Sequence, residues 1–550
     1  MTLTVTDRYT PEQVAAYKAK GLWEDSTLFD VISEQARERP DKAFMFDSTT
    51  SVTYAELRDR ALRIAAGLRR AGVHAGERIA VQLPNITEFV VAAAAINRAG
   101  AVLVPIMPIY RGSEVKHFLA HSGATRVITM ADFGGFAYVD MFRQMQSELP
   151  QLKTIWAVRG GVEGAEPFEA LEVNGEPDAL AVEVGDDRHP DEPFLIVYTS
   201  GTTSKPKGCV HTFNTARTAA KELTVGLRYS SEDVQFGPSP ISHSTGMATS
   251  ILLPLINGAS SLFIEKWDPV AGMDALIEHK VTCAVTATPF LQMLLGVYDP
   301  DRHDVSHFRA WVCAGSPIPG SVVEKARKMF TGGTVLSLLG RSENYVTTMC
   351  SVDDDPQRAV TSDGRALPDA DVQITDPLGN EVPRGEEGDI AYKGASHMLG
   401  YYNDPDATAA MFTPSGYSQS GDLGVMDKDG FVRVTGRSKD IIIRGGMNIS
   451  AREVEDHVGA RDDIAQVAAV AMPDERLGEK VCLYVVPVDV SSAPTLEVIN
   501  EDLRFRGVAT QKLPERLEVV EALPMTATGK IQKHLLRAEI AEKVKADSAS

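Results

Sequence analysis

Cysteine is scarce in this 550-residue chain: five in all, at Cys209, Cys283, Cys313, Cys350 and Cys482. No two stand in a C-x-x-C pair, so neither a disulfide framework nor a cysteine zinc site is spelled out, and buried free thiols in a reducing compartment are expected. Apolar runs of membrane-spanning length are missing, and the start "MTLTVTDRYTPEQV" has no basic stretch followed by an apolar one. The end "KADSAS" is not a peroxisomal S-K-L. A cytoplasmic protein that avoids membranes is the expectation. Positive charge is in deficit too: 55 Lys plus Arg face 75 Asp plus Glu, a formal charge of -20. Such a surface repels nucleic acid and anionic membranes, so any phosphate site has to be built locally.

Two nucleotide signatures are absent as well. The P-loop needs Gly, four residues, then Gly-Lys-Ser/Thr, and counting from Gly201 puts Pro206 where the second glycine belongs. The dinucleotide fingerprint G-x-G-x-x-G does not occur. Walker-type phosphoryl transfer and Rossmann cofactor binding are thereby excluded.

What is present is regular. The length exceeds what one core organises, so two or more domains are expected. After Thr53, "TYAELRDRALRIAAGLRRAG" places Leu57, Ala61, Ile64 and Leu68 on one helical face, with Thr53 and Glu56 as a capping box. Short β-rich runs then alternate with helical patterns: RIAVQL from Arg78, AVLVPI from Ala101, RVITM from Arg126, FLIVYTS from Phe194, AWVCAGS from Ala310 and VLSLLG from Val335. Runs apolar on both faces predict parallel sheets covered by helices on each side. Over about residues 364–436 the texture turns to DVQITD, GDIAYKG and GFVRVTG between Gly, Pro and Asp turns, predicting an antiparallel β-subdomain. Beyond it lie a helix, AREVEDHVG, two strands, VAAVAMP and VCLYVVP, and a helical tail from near Ile531. The expected fold class is α/β: a large N-terminal domain, residues 1–438, of parallel sheets plus the antiparallel subdomain, then a small α+β domain, residues 439–550.

The stretch "VYTSGTTSKPKGCVHT" reads as a strand running into a loop. It delivers Thr199, Ser200, Gly201, Thr202 and Thr203 as consecutive hydroxyls and backbone N–H donors, with Lys205 and Lys207 behind them. Such a nest binds an anion without a helix dipole. The same composition also suits a solvated turn between a strand and a helix.

The full string "YTSGTTSKPKG" resembles the phosphate loop of the adenylate-forming superfamily, which includes acyl-CoA synthetases, aryl-acid ligases, peptide-synthetase adenylation domains and firefly luciferase. Further matches follow in the family's order. "SLLGRSEN" resembles its Y-G-x-T-E element through Gly340, Ser342 and Glu343. The resemblance makes Glu343 the carboxylate for Mg²⁺, a role that suits a hard oxygen ligand. Leu339 takes the place of an aromatic that stacks on adenine, so apolar contact is kept without the ring. Arg341, at the variable position, is a candidate for phosphate or substrate carboxylate, and Ser204 stands where glycine is commoner.

"VCAGSPIPGSV" resembles the adenine-side loop through Ala314, Gly315, Ser316 and Pro317. In "GYSQSGDLGVMDKDGFVRVTGRSKD", Asp422 falls on the carboxylate that accepts both ribose hydroxyls, and Arg437 on the guanidinium at the ribose and phosphate side. "PMTATGK" matches the C-terminal P-x-T-x-x-G-K element, whose lysine, here Lys530, contacts the acid's carboxylate and the α-phosphate. Together these imply binding of ATP and Mg²⁺ and formation of an acyl adenylate. The resemblance also implies a mobile C-terminal domain hinged at Lys439, which after pyrophosphate release presents Gly445 and Gly446 to an acceptor tunnel.

"PISHSTGM" resembles the acyl-site element, with His243 as an aromatic gate and Gly246 opening the pocket beside Met247 and Val346. No Asp is in register to hold a substrate ammonium, so an apolar carboxylic acid is expected rather than an α-amino acid. His303 and His307 are four apart but lack the H-E-x-x-H glutamate, and are read as surface histidines. The texture of "KDIIIRGGMNISAREVED" and "YKAKGLWEDSTLFDVI" is closest to medium-chain and cyclohexanecarboxylate CoA ligases and to coronafacate-ligase-like enzymes. The acceptor therefore stays open between CoA and an amino-acid amine. A relative that binds nucleotide without chemistry is disfavoured by the retention of Glu343, Asp422, Arg437 and Lys530.

Overall fold

The computed structural model describes residues 3–185, 189–199, 206–315, 318, 320–526 and 530–549. The helix expected after Thr53 runs Tyr54–Arg70, its first turn closed by Thr53 and Glu56 as a capping box. Leu57, Ala61, Ile64 and Leu68 are all buried in one large core. Each leucine or isoleucine so buried contributes about 2 kcal/mol by removal from water.

Two eight-stranded sheets form the larger part. The first has the order Thr348–Met349, Thr334–Leu339, Ala310–Ala314, Cys283–Ala287, Val234–Gly237, Ser260–Phe263, Ala43–Phe46, Ser51–Thr53. Its inner pairings are parallel and its two edge pairings antiparallel. The second runs Gly400–Tyr401, Gly208–Thr212, Pro193–Tyr198, Val102–Pro105, Arg78–Gln82, Arg126–Met130, Thr154–Val158, Glu166–Pro167. All six strands read from the sequence are present, and all five cysteines are buried.

One local expectation changes. Strand Pro193–Tyr198 returns through the glycine-rich segment into an antiparallel partner, Gly208–Thr212, and only then does helix Phe213–Leu227 begin. The segment therefore joins two strands of a hairpin, closed by Thr199 N–H to Lys207 O at 2.9 Å. The strand-to-helix turn that the composition also suited is replaced by a strand-to-strand connection.

The antiparallel subdomain has the order Asp371–Thr375, Glu387–Lys393, Ser418–Met426, Val432–Arg437. Just three residues, Ser438–Asp440, separate it from Ile441–Arg444, the first strand of the C-terminal sheet. That sheet pairs Met447–Ser450, Ile441–Arg444, Gly478–Pro487 and Ile464–Asp474, with Arg516–Val519 added beside Gly478–Pro487. The tail helix is Lys533–Ala549. Among the described residues, no helix is long and apolar enough to cross a membrane.

Candidate active site

In a parallel sheet, ligands gather beyond the carboxyl ends of the strands. Here the ends of Cys283–Ala287, Ala310–Ala314 and Thr334–Leu339 deliver Ala287, Ala314, Gly315, Leu338 and Gly340 into one cavity of about 260 Å³. Thr199 comes from the second sheet, Asp422 and Arg437 from the antiparallel sheet, and Lys530 from the C-terminal region. Residues more than 300 positions apart in sequence thus share one space.

Asp422 and Arg437 are directly opposed on neighbouring strands, and Arg437 Nε donates to Asp422 Oδ1 at 2.8 Å. The Asp422 side chain is mostly buried while the Arg437 side chain is about half exposed. Glu343 lines the cavity, and its Oε1 accepts the Tyr401 hydroxyl at 2.6 Å. Lys207 lies outside the lining, its ammonium 4.7 Å above the Tyr401 ring. Ser342 Oγ is 3.1 Å from Ser244 Oγ, and its carbonyl meets His211 Nε2 at 2.8 Å. Burial pushes the His211 imidazole down to about 4 and keeps it neutral.

Lys530 reaches the cavity from the far end of the chain, and a Cβ on Gly315 would lie 3.5 Å from its Cε. Its ammonium sits deep enough that burial, aided by Arg437, pushes it down to about 8, against the opposing pull of Asp422 and Glu343. His243 caps the short helix that begins at Ser244 by accepting Thr245 N–H at Nδ1, 3.3 Å away. That bond leaves Nε2 as the donor. Burial first, and Lys530 second, push His243 down to about 4, so its ring is neutral at physiological pH.

Several residues sit elsewhere than the sequence suggested. Arg341 lines the cavity, yet its guanidinium is engaged by Gln419 O at 2.8 Å, Ser418 O at 3.0 Å and Asn344 Oδ1 at 2.9 Å. It is a strand anchor. Leu339 packs with the core of the antiparallel sheet, while Leu338, on the opposite strand face, lines the cavity. Gly246 opens no space there: a Cβ would meet Pro240 O at 2.2 Å, so the missing side chain admits a backbone segment. Met247 is buried in the core, whereas Val346 does line the cavity. Gly445 and Gly446, with φ of 58° and 85°, form the exposed two-residue tip between Ile441–Arg444 and Met447–Ser450. Positive φ at both positions is what a tight hairpin requires. Ser200, Gly201, Thr202, Thr203, Ser204, Ser316 and Pro317 lie outside the described residues.

Two tyrosines, Tyr345 in the cavity lining and Tyr401 behind Glu343, had no sequence signal. Tyr345 holds a φ of 58°, costly for a bulky residue, and its buried hydroxyl has no partner among the described residues. Tyr401 reaches Glu343 from a two-residue strand that pairs with Gly208–Thr212, far earlier in the chain.

Among the described residues, no group of three or more His, Cys, Asp or Glu is placed to hold a metal ion. His303 Nδ1 accepts Asp299 N–H at 3.0 Å, and His307 Nε2 lies 3.3 Å from Leu276 O. A single carboxylate, Glu343, fits an ion such as Mg²⁺ that keeps waters and shares substrate phosphates, and does not fit one needing an all-protein cage.

A family model described as AMP-binding enzyme matches residues 32–402, and one described as AMP-binding enzyme C-terminal domain matches residues 453–530. The chain is 34% identical over 546 residues to the medium-chain fatty-acid–CoA ligase of Escherichia coli (strain K12), covering 99% of this chain and 96% of that protein. It is 30% identical to the 2,3-dihydroxybenzoate-AMP ligase of Bacillus subtilis (strain 168), covering 97% of each. The structure of the amide bond synthetase McbA from Marinactinospora thermotolerans superposes with a TM-score of 0.81 at 25% identity, covering 93% of this chain and 99% of that one.

Proposed function

Because the chain belongs to the AMP-binding enzyme family, we propose that it is an ATP-dependent ligase that activates an apolar carboxylic acid as its acyl adenylate, releases pyrophosphate, and transfers the acyl group to CoA with release of AMP. The observation that carries the reading is the convergence of Glu343, the Asp422–Arg437 pair, His243 and Lys530 on one cavity.

The acid's carboxylate attacks the α-phosphorus of ATP in the first step, and negative charge shifts onto bridging and equatorial oxygens. Lys530 supplies a preorganised ammonium to those oxygens, in a setting of low dielectric where it acts strongly. Asp422 accepts the ribose hydroxyls, with Arg437 holding the carboxylate in line. Thr199 and Lys207 belong to the phosphate side, together with Ser200 to Thr203; Ala314 to Pro317 belong to the adenine side, with Leu338 rather than Leu339 lining the cavity there. Glu343 would hold Mg²⁺, which supplies charge neutralisation at the phosphates. Neutral His243 and Val346 border the acid.

A second reading, transfer to an amino-acid amine, is favoured by the similarity to an amide bond synthetase. One assay separates the two. The protein is incubated with ATP, Mg²⁺ and a panel of apolar acids, then given CoA or amino acids separately. Thioester and rapid AMP release with CoA alone is the expected result; amide formed without CoA would replace the first reading by the second, and absence of pyrophosphate with every acid would overturn both.

A further inference from the structure

Strand Ser418–Met426 carries Asp422 to the cavity, and its course is fixed from two sides. On one side, Arg341 donates to the carbonyls of Ser418 and Gln419 at 3.0 and 2.8 Å. On the other stands Asp389, on strand Glu387–Lys393. Its Oδ1 accepts Ser420 N–H at 2.8 Å and its Oδ2 accepts Gly421 N–H at 3.0 Å.

The reason for this arrangement lies in the register. Asp389 pairs with Leu423 and Ala391 with Gln419, so the residues between them bulge out of the ladder. Bulged backbone N–H groups lose strand partners and need other acceptors. The Asp389 carboxylate supplies two. Gly421 takes φ 73°, and Asp422 N–H donates to Ser420 Oγ at 3.0 Å, which completes the turn. Ser420, Gly421 and Asp422 all line the cavity, and Asp389 does not.

We propose that Asp389 is the positioning residue of the ribose site: its carboxylate grips the Ser420–Gly421 bulge and thereby aims Asp422 at the nucleotide, without touching substrate itself. The inference rests on reading Asp422 as the ribose carboxylate. It also gives GDIAYKG, otherwise a plain strand, a part in the chemistry.

The grip depends on ionisation. Burial pushes the Asp389 carboxyl up to about 6, opposed by the two N–H donors and by Arg341, and reinforced by Asp422. Arg341 and Asp422 are the charged side chains that face it from the two adjoining segments; Thr375, on the other neighbouring strand, bonds its main-chain carbonyl instead. Above about pH 6 the carboxylate holds both N–H groups. Below it, one oxygen becomes a hydroxyl donor and one N–H is released, so nucleotide binding weakens as pH falls.

The test is calorimetric titration of the full chain with AMP, which carries ribose, and with pyrophosphate, which does not. Asp389→Asn keeps the shape but sets an amide NH₂ against one backbone N–H. AMP binding is expected to weaken about tenfold, the equivalent of one lost hydrogen bond, with pyrophosphate binding unchanged. Asp422→Ala should weaken AMP as well, and adding Asp389→Asn to it should cost little more, because the two act in series. Between pH 7.5 and 5.5 the wild-type AMP Kd should rise more than that of Asp389→Asn; the phosphate of AMP titrates nearby, so the comparison is made at each pH.

If Asp422→Ala weakens AMP and Asp389→Asn does not, the positioning role falls and the ribose reading stands. If Asp422→Ala leaves AMP binding intact, both fall. Equal loss of AMP and pyrophosphate binding in Asp389→Asn, with a lowered Tm, would make Asp389 a purely structural residue and overturn the proposal.

Discussion

The Tyr401 hydroxyl donates to Glu343 Oε1 at 2.6 Å, from a two-residue strand at the edge of the second sheet, with the Lys207 ammonium 4.7 Å above the same ring. One tyrosine therefore links the phosphate-side lysine to the proposed magnesium carboxylate. Tyr401→Phe keeps the ring under Lys207 and removes only the bond that orients Glu343. Loss of such an outer partner typically costs about 10–100-fold in metal affinity. The expected outcome is an upward shift of at least about tenfold in the Mg²⁺ concentration needed for half-maximal pyrophosphate release, with little change in Tm. A magnesium titration of the two proteins checks it.

On the proposed chemistry, Lys530 is expected to set the alkaline side of the pH profile. Its active form is the ammonium, burial pushes its pKa down to about 8, and the charge is lost as pH rises through that value. For a general group of the free enzyme this appears in kcat/KM. Adenylation kcat/KM for ATP should therefore fall above about pH 8, while Lys530→Arg, charged throughout, should lose that limb even if its overall rate is lower. Lys530→Ala should reduce the rate by about 10²–10³ at pH 7, as for loss of one transition-state donor. Pyrophosphate release measured from pH 6 to 9.5 reports all three.

Gly246 and Val346 separate packing from substrate contact. A Cβ at Gly246 would sit 2.2 Å from Pro240 O, where the neighbour is backbone and cannot swing aside. Gly246→Ala should cost about 1–3 kcal/mol of stability, as overpacking does, and leave the order of preferred acids unchanged among molecules that remain folded. Val346 lines the cavity, so Val346→Ala should shift that order toward bulkier acids with a smaller stability loss. Thermal melts and an acid panel, run on both variants, distinguish the two effects.

Much of this was legible because the physics is local. The strands Ile79 to Val81 and Val127 to Ile128 are buried on both faces, and their unbroken apolar runs say so in the sequence. Thr53 and Glu56 lie three residues apart, so their capping box could be read directly. The rest depends on partners far away in the chain. Arg341 looked available for phosphate because the Ser418 and Gln419 carbonyls that hold its guanidinium lie 77 and 78 residues further along the chain. Leu339 and Leu338 exchange roles through a single residue of strand alternation that only the position of the antiparallel sheet decides. Tyr401 and Asp389 act on backbone and carboxylate groups supplied by other strands, and no spacing rule connects them.

Lys439 offers the test of motion. It lies in the three-residue turn Ser438–Asp440, between the strand that ends at Arg437 and the strand that begins at Ile441. Its carbonyl accepts Arg537 Nη1 at 3.2 Å, and the same guanidinium pairs with Asp440 Oδ1 at 2.8 Å. These partly exposed contacts are weak enough to break during a domain swing. Proline at position 439 would fix φ and restrict Ser438 before it; because the Lys439 side chain also lines the cavity, Lys439→Ala is the control for its loss. If Lys439 is the hinge and CoA the acceptor, as proposed, Lys439→Pro is expected to slow transfer of the acyl group to CoA at least about tenfold more than it slows adenylation, because on that reading only the second step follows a domain swing. Single-turnover measurements of acyl adenylate and of thioester on the same protein give both rates; equal slowing of the two would remove the hinge from Lys439.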